Sequence, residues 1–150
     1  MIALRNSIKI RTMPQKLFKW LEAMPEEYCS RHPDHIACRV LKGSLFHYGS
    51  EIECQEILHG KLHSMRFHLT KFDPDRRLEY GIQGMGNGAF EAVPKGEKVE
   101  FIAELDLGTD TPIIGLLVDV LFRILFRSRL GMMRQHMLEE GQNLKQILEA

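Results

Sequence analysis

His136 and Glu140 stand four residues apart in the run Met132–Met133–Arg134–Gln135–His136–Met137–Leu138–Glu139–Glu140–Gly141–Gln142–Asn143–Leu144. On a helix that spacing is about one turn, so both side chains share a face. At roughly 100° per residue, Met133, His136, Met137, Glu140, Gly141, Leu144, Ile147 and Leu148 fall in one sector about 140° wide. This is the apolar stripe that a surface helix buries. Arg134, Gln135, Glu139, Gln142, Lys145 and Glu149 take the wet side. An imidazole and a carboxylate in an apolar stripe are costly unless they pair with each other or hold a metal.

A second pair comes from the first half of the chain. The segments Ile36–Lys42 and Gly49–Leu58 are close enough to form a hairpin around Leu45–Phe46. In such a hairpin, residues whose numbers sum to about 91 lie opposite each other, which sets His35 across from Glu56. Glu56 shares its parity with Ile52 and Cys54, an inner face. A bulge would bring Glu53 or Gln55 there instead. Two imidazoles and two carboxylates meeting in one cavity suit Zn²⁺, and also Mn²⁺ or Fe²⁺.

These residues need elements to carry them. Leu4–Thr12 alternates as a strand does, with Asn6, Ile8 and Ile10 on one side. Pro14 then opens an amphipathic helix over Gln15–Met24, offering Leu17, Phe18, Trp20 and Leu21 for burial. Pro25–Asp34 reads as irregular or as a short helix. From His35 to Leu107 six strands are expected: Ile36–Lys42, Gly49–Leu58, Lys61–Phe72, Leu78–Met85, Ala89–Val93 and Lys98–Leu107. Glycine, proline and aspartate turns separate them. Asp110–Thr111–Pro112 reads as a helix start, and Ser128–Leu130–Gly131 as a break within the helical region. The sum is an α+β helix-grip arrangement: a curved antiparallel sheet wrapped around a long C-terminal helix, with a cavity between them. Residues 1–150 form one such domain. Met65, Phe67, Leu69, Tyr80, Ile82, Phe90, Phe101, Met133 and Met137 are core positions expected to line that cavity. Tyr28 and Tyr80 are candidate hydrogen-bond donors to a ligand oxygen.

Other patterns carry less. Cys29, His32, His35 and Cys38 recur every three residues, but not with the paired C-x₂-C spacing of structural zinc sites. Pro33 also interrupts them. His47, His59, His63 and His68 read as surface or strand histidines, with His68 and Arg66 facing away from Met65, Phe67 and Leu69. Gly84-x-Gly86-x-Gly88 lies between strands and opens no helix, so it is not a nucleotide loop. Equal numbers of basic and acidic residues, 20 each, argue against nucleic acid as a partner. Apolar residues make up 44% and charged ones 27%, as in ordinary globular proteins. Pro112–Phe126 falls short of the roughly 20 apolar residues that span a bilayer. It reads as a buried helix closing the cavity, with a membrane-surface or dimer-interface role as the alternative. Three cysteines and no signal peptide point to a reducing, cytoplasmic setting.

The order of elements resembles the START-like helix-grip superfamily of ligand-binding proteins and polyketide cyclases, over nearly the whole chain. A sharper likeness lies in His32–Pro33–Asp34–His35–Ile36, Gly49–Ser50, Glu56–Ile57–Leu58–His59–Gly60 and His136-x-x-Glu139–Glu140–Gly141-x-Asn143–Leu144. This set is similar to the diacetylphloroglucinol hydrolase branch, zinc enzymes that cleave a carbon–carbon bond in an acylated phenol. The resemblance implies zinc ligands at His35, Glu56, His136 and Glu140. Cys38 departs from it, standing where a polar substrate-binding residue is expected. The function expected from residues and resemblance together is metal-dependent hydrolysis of a small acyl-phenol or β-diketone-type compound. Two alternatives stand beside it: a non-enzymatic carrier of a lipid or aromatic ligand, and a metal-free cyclase or dehydratase using His and Glu as acid and base.

Overall fold

In a computed structural model of the chain, residues 2–58, 60–108, 112–125 and 127–150 are described. Strand β1 (Ile2–Ile10) leads into helices α1 (Pro14–Glu22) and α2 (Met24–Arg31). Six strands follow: β2 (His35–Lys42), β3 (Glu51–Leu58), β4 (Lys61–Asp73), β5 (Arg77–Ile82), β6 (Gly86–Lys95) and β7 (Lys98–Leu107). Helices α3 (Pro112–Leu125) and α4 (Arg127–Glu149) close the chain. The strands form one antiparallel sheet in the order β1-β7-β6-β5-β4-β3-β2. A meander of this kind follows from short turns between neighbouring strands, with β1 returning to the far edge of β7. The expected α+β helix-grip architecture is the one observed.

Proline sets the start of α1, whose buried face is Leu17, Phe18 and Leu21. Together with Ile10, Val99, Phe101, Leu144 and Leu148 they make the main core. Each such side chain contributes about 1.5–3 kcal/mol when fully buried. Pro25 opens α2, a regular helix where the sequence left an irregular segment open. A smaller cluster of Ile2, Leu4, Leu107 and Leu130 holds the start of α4 against the sheet edge. That cluster explains one departure. Ser128–Leu130–Gly131 does not break the helix: α4 runs straight through it. A mid-helix glycine costs only about 1 kcal/mol, and burial of Leu130 offsets it. Ile147, placed by periodicity on the apolar stripe, is exposed.

The larger departure is α3. Its described residues do not line the cavity. Leu117 and Ile124 are 69% and 70% exposed, and its other described leucines and valines are exposed too. Its described packing is against α4. The proposed cap at Asp110–Thr111 lies outside the described residues.

Glycine matters at two close approaches. Gly141 lets α4 settle on β1, where an added Cβ would lie 3.1 Å from Asn6 Nδ2. Asn6 Nδ2 donates to the Met137 carbonyl at 3.1 Å across the same contact. Gly88 pairs directly with Tyr80 in the β5–β6 ladder. The Tyr80 ring lies so close over it that a Cβ would sit 2.4 Å from the ring.

Candidate functional site

β2 begins at His35, directly after Pro33 and Asp34. The Ile57 amide donates to the Asp34 carbonyl at 2.8 Å, which docks this strand start against β3. His35 pairs with Glu56. The expected register holds at that pair and then shifts: a bulge between His35 and Ala37 sets Cys38 opposite Cys54 and Arg39 opposite Glu53. The bulge falls beyond the functional pair, so it moves neither Gln55 nor Glu53 into the cavity. Glu53 turns to the other face, where Arg39 Nη2 reaches it at 2.6 Å and Arg66 Nε at 3.3 Å.

α4 brings His136 and Glu140 to the same place. His35 Nε2 lies 3.5 Å from Glu56 Oε2 and 3.1 Å from Glu140 Oε1. His136 Nε2 lies 3.5 Å from Glu56 Oε2 and 3.9 Å from Glu140 Oε1. One ligand atom from each of His35, Glu56 and His136 lies within 4.8 Å of the other two, and Glu140 stands outside this group, near both histidines. Ligand atoms bound to zinc at about 2.0–2.1 Å in a tetrahedron stand about 3.3 Å apart, so these separations fit a small divalent cation.

The hydrogen bonding fits as well. His35 Nδ1 donates to the Tyr28 carbonyl at 2.9 Å, which turns Nε2 toward the carboxylates. This is how proteins orient a metal-ligating imidazole. Nε2 of His35 and Nε2 of His136 are both buried, and neither makes a well-directed hydrogen bond. Buried polar atoms without partners are uncommon and call for an explanation. Here two of them converge on two carboxylates, an arrangement that could hold a cation. Glu140, with 41% of its side chain exposed, marks the open side of the site.

Neighbouring groups hold the four in place. The Tyr28 ring stacks on His35 with centroids 3.8 Å apart and planes 4° from parallel. Its hydroxyl donates to Glu56 Oε2 at 3.2 Å. Burial, then the charges of Glu56 and its neighbours, push the Tyr28 phenol well above its ordinary range, so it stays protonated and a donor. Burial opposes a charged His136, but the nearby Glu56 and Glu140 carboxylates outweigh it and raise its pKa. His32 packs on His136 with centroids 4.3 Å apart. Its Nδ1 accepts from the Asp34 amide at 3.1 Å, so its Nε2 donates to Glu139 Oε2 at 2.9 Å. That contact, with Gln135, holds the Glu139 carboxyl below the usual carboxylate range. Asn143 Nδ2 donates to the Arg31 carbonyl at 2.9 Å. Glu139 and Asn143 thus tie α4 to the end of α2, a job the helical periodicity gave no hint of.

The four groups line a cavity of about 210 Å³ between the sheet and α4. Met65, Phe67, Leu69, Tyr80, Ile82, Phe90, Phe101, Met133 and Met137 all lie on its wall. So do Trp20, read in the sequence only as buried, Cys54, read as inner-face, and Arg31 and Phe46, which the sequence did not place there. Phe46 reaches the wall from the β2–β3 loop, stacked on Phe72. Tyr80 contributes a phenol that burial keeps protonated. The Cys29, His32, His35, Cys38 set does not gather into one metal group among the described residues. The Cys29 thiol donates to the Ile36 carbonyl at 2.9 Å, and Cys38 faces Cys54 with their sulfurs 3.2 Å apart. His32, Asp34 and His136 form a second cluster of ligand-type atoms, but His32 Nδ1 is already an acceptor there.

No family model matches the chain, and no curated protein matches it. Solved structures do. The chain is similar to the Zhui aromatase/cyclase from Streptomyces sp. R1128, with a TM-score of 0.76 at 12% identity over 99% of this chain and 93% of that one. It is similar to a START superfamily protein from Mycobacterium smegmatis, with a TM-score of 0.72 at 13% identity over 98% and 97%. It also resembles the Aha1 dimer from Colwellia psychrerythraea, with a TM-score of 0.65 at 15% identity over 99% and 97%. These likenesses establish the fold: the START-like helix grip. Among the described residues, no helix is long and apolar enough to cross a membrane.

Proposed function

We propose that the protein binds a small aromatic or acyl compound in its cavity and acts on it at a divalent metal site built from His35, Glu56, His136 and Glu140. The observation that carries this reading is the convergence of two buried Nε2 atoms, neither with a well-directed hydrogen bond, on two carboxylates at 3.1–3.9 Å. A zinc ion held there supplies a Lewis acid for a carbonyl oxygen and lowers the pKa of water. The apolar wall binds the ligand body and excludes water. Tyr28, protonated and anchored on Glu56, holds a proton beside these polar groups. The finer reading, hydrolysis of a carbon–carbon bond in an acyl-phenol or β-diketone-type compound, rests on the resemblance of the His136–Asn143 run to the diacetylphloroglucinol hydrolases.

A second reading has an observation of its own. The fold neighbours include an aromatase/cyclase and a START protein, which favours ligand binding, or cyclase or dehydratase chemistry with His136 and Glu140 as acid and base, without metal.

Metal analysis separates the two. Protein purified without chelator is expected to carry zinc, manganese or iron at about one ion per chain. His136→Ala and Glu140→Ala should each lower occupancy at least tenfold. Added zinc should raise the Tm of the parent and not of His136→Ala. A folded parent that takes up no divalent ion, and whose Tm zinc leaves unchanged, supports the metal-free reading and ends the first.

A further inference from the structure

Arg31 ends α2 one helical turn beyond Tyr28, on the same face. It is only 4% exposed and lies on the cavity wall. Its guanidinium carbon sits 3.5 Å from the centre of the Trp20 ring, and Nη2 donates to the Trp20 carbonyl. The other two nitrogens, Nε and Nη1, are buried without any acceptor. The Trp20 indole Nε1 is a third buried donor without one. Among the described residues, no carboxylate comes within ion-pair distance of Arg31; Glu27 and Glu140 act on it only from farther away. Burying an arginine is costly unless its charge and its donors are met. Here one donor is met and three neighbouring ones are not. All three are donors, so the missing partner is an acceptor, and the uncompensated charge makes it a negative one.

We propose that Arg31, stacked on Trp20, is the anchor for an anionic oxygen group, a carboxylate or phenolate, on the ligand that the cavity binds. The ligand then has an apolar body and an anionic group held at α2, close to Tyr28 and the two histidines. This assignment deepens the proposed function but does not depend on the metal.

The test compares two probes of one shape, 2-naphthoate and the neutral 2-naphthamide, by calorimetry on the full chain in the presence of a chelator. In chelator the parent is expected to bind 2-naphthoate about tenfold more tightly than 2-naphthamide, the worth of one charge-assisted contact. Arg31→Gln should bring the two affinities together. If that variant does not fold, Arg31→Lys serves, because lysine keeps the charge but loses the planar stack and the Nε donor. It should weaken 2-naphthoate more than 2-naphthamide. Equal affinity of the parent for the two probes, binding of neither, or a preference that survives Arg31→Gln overturns the assignment. Because the measurement is made without metal, a failed zinc site leaves its outcome readable, and a failed anchor leaves the zinc analysis untouched.

Discussion

The four polar residues of the site are set by two short-range rules and one long-range contact. His35 and Glu56 are a cross-strand pair, and His136 and Glu140 are one helical turn apart; only the docking of α4 brings the pairs together. Both short-range rules were legible in the sequence. The hairpin arithmetic worked at His35–Glu56 because the bulge begins one residue later; a bulge has no marker in this stretch of strand-forming residues. Arg31 was not legible. Its meaning depends on Trp20, eleven positions away on another helix, and on donors left without acceptors, which no periodicity reports. Glu53, on the outer face, shows the ordinary use of charge in the same hairpin. Its hydrogen bond from Arg39, aided by Arg66, holds its carboxyl below the usual range. A depressed carboxylate stabilises the fold above its unfolded-state pKa and loses that effect as pH falls through the folded-state value. Glu53→Gln is therefore expected to unfold at lower denaturant than the parent at neutral pH. The two unfolding curves should converge as pH drops below about 4. A gap that persists in acid would show that packing, not charge, is what glutamine loses.

Strands and helices were read well where one face is buried and the other wet. β7 is the clearest case: Val99, Phe101, Ala103 and Leu107 are buried in alternation, although Ile102 is buried too, against the rule. The pattern failed at α3, where nearly every described position is apolar. A helix that is apolar all round declares that it wants cover, not which surface supplies it. α4 is the opposite case, since its stripe names its partner. Leu144, 1% exposed, packs in the main core beside the α1 side chains. Leu144→Ala is expected to cost about 2–5 kcal/mol of unfolding free energy, as buried leucine truncations do. Leu138→Ala, on the exposed flank of the same helix, should cost less than about 0.5 kcal/mol. Chemical denaturation of the two variants checks the pair, and similar losses from both would mean that α4 is turned differently on the sheet.

Across the whole molecule, the sheet and α4 enclose space instead of filling it, and the fold is shared with proteins only 12–15% identical to this one. In this chain the lining of that space decides what it can hold. Gly88 shows how small a feature of the lining can count. With the Tyr80 ring seated over a residue that has no side chain, the cavity wall at this point is only as deep as the absence of one methyl group allows. Gly88→Ala is expected to drive the phenol inward and to weaken a bicyclic probe such as 2-naphthoate more than a single-ring one such as benzoate; equal losses for both would place the displaced ring elsewhere. A scaffold whose interior dimension is set by a single missing carbon can change its preferred ligand by one substitution on a strand, with the sheet register and the helix grip left intact. Ligand preference and fold can then diverge at very different rates.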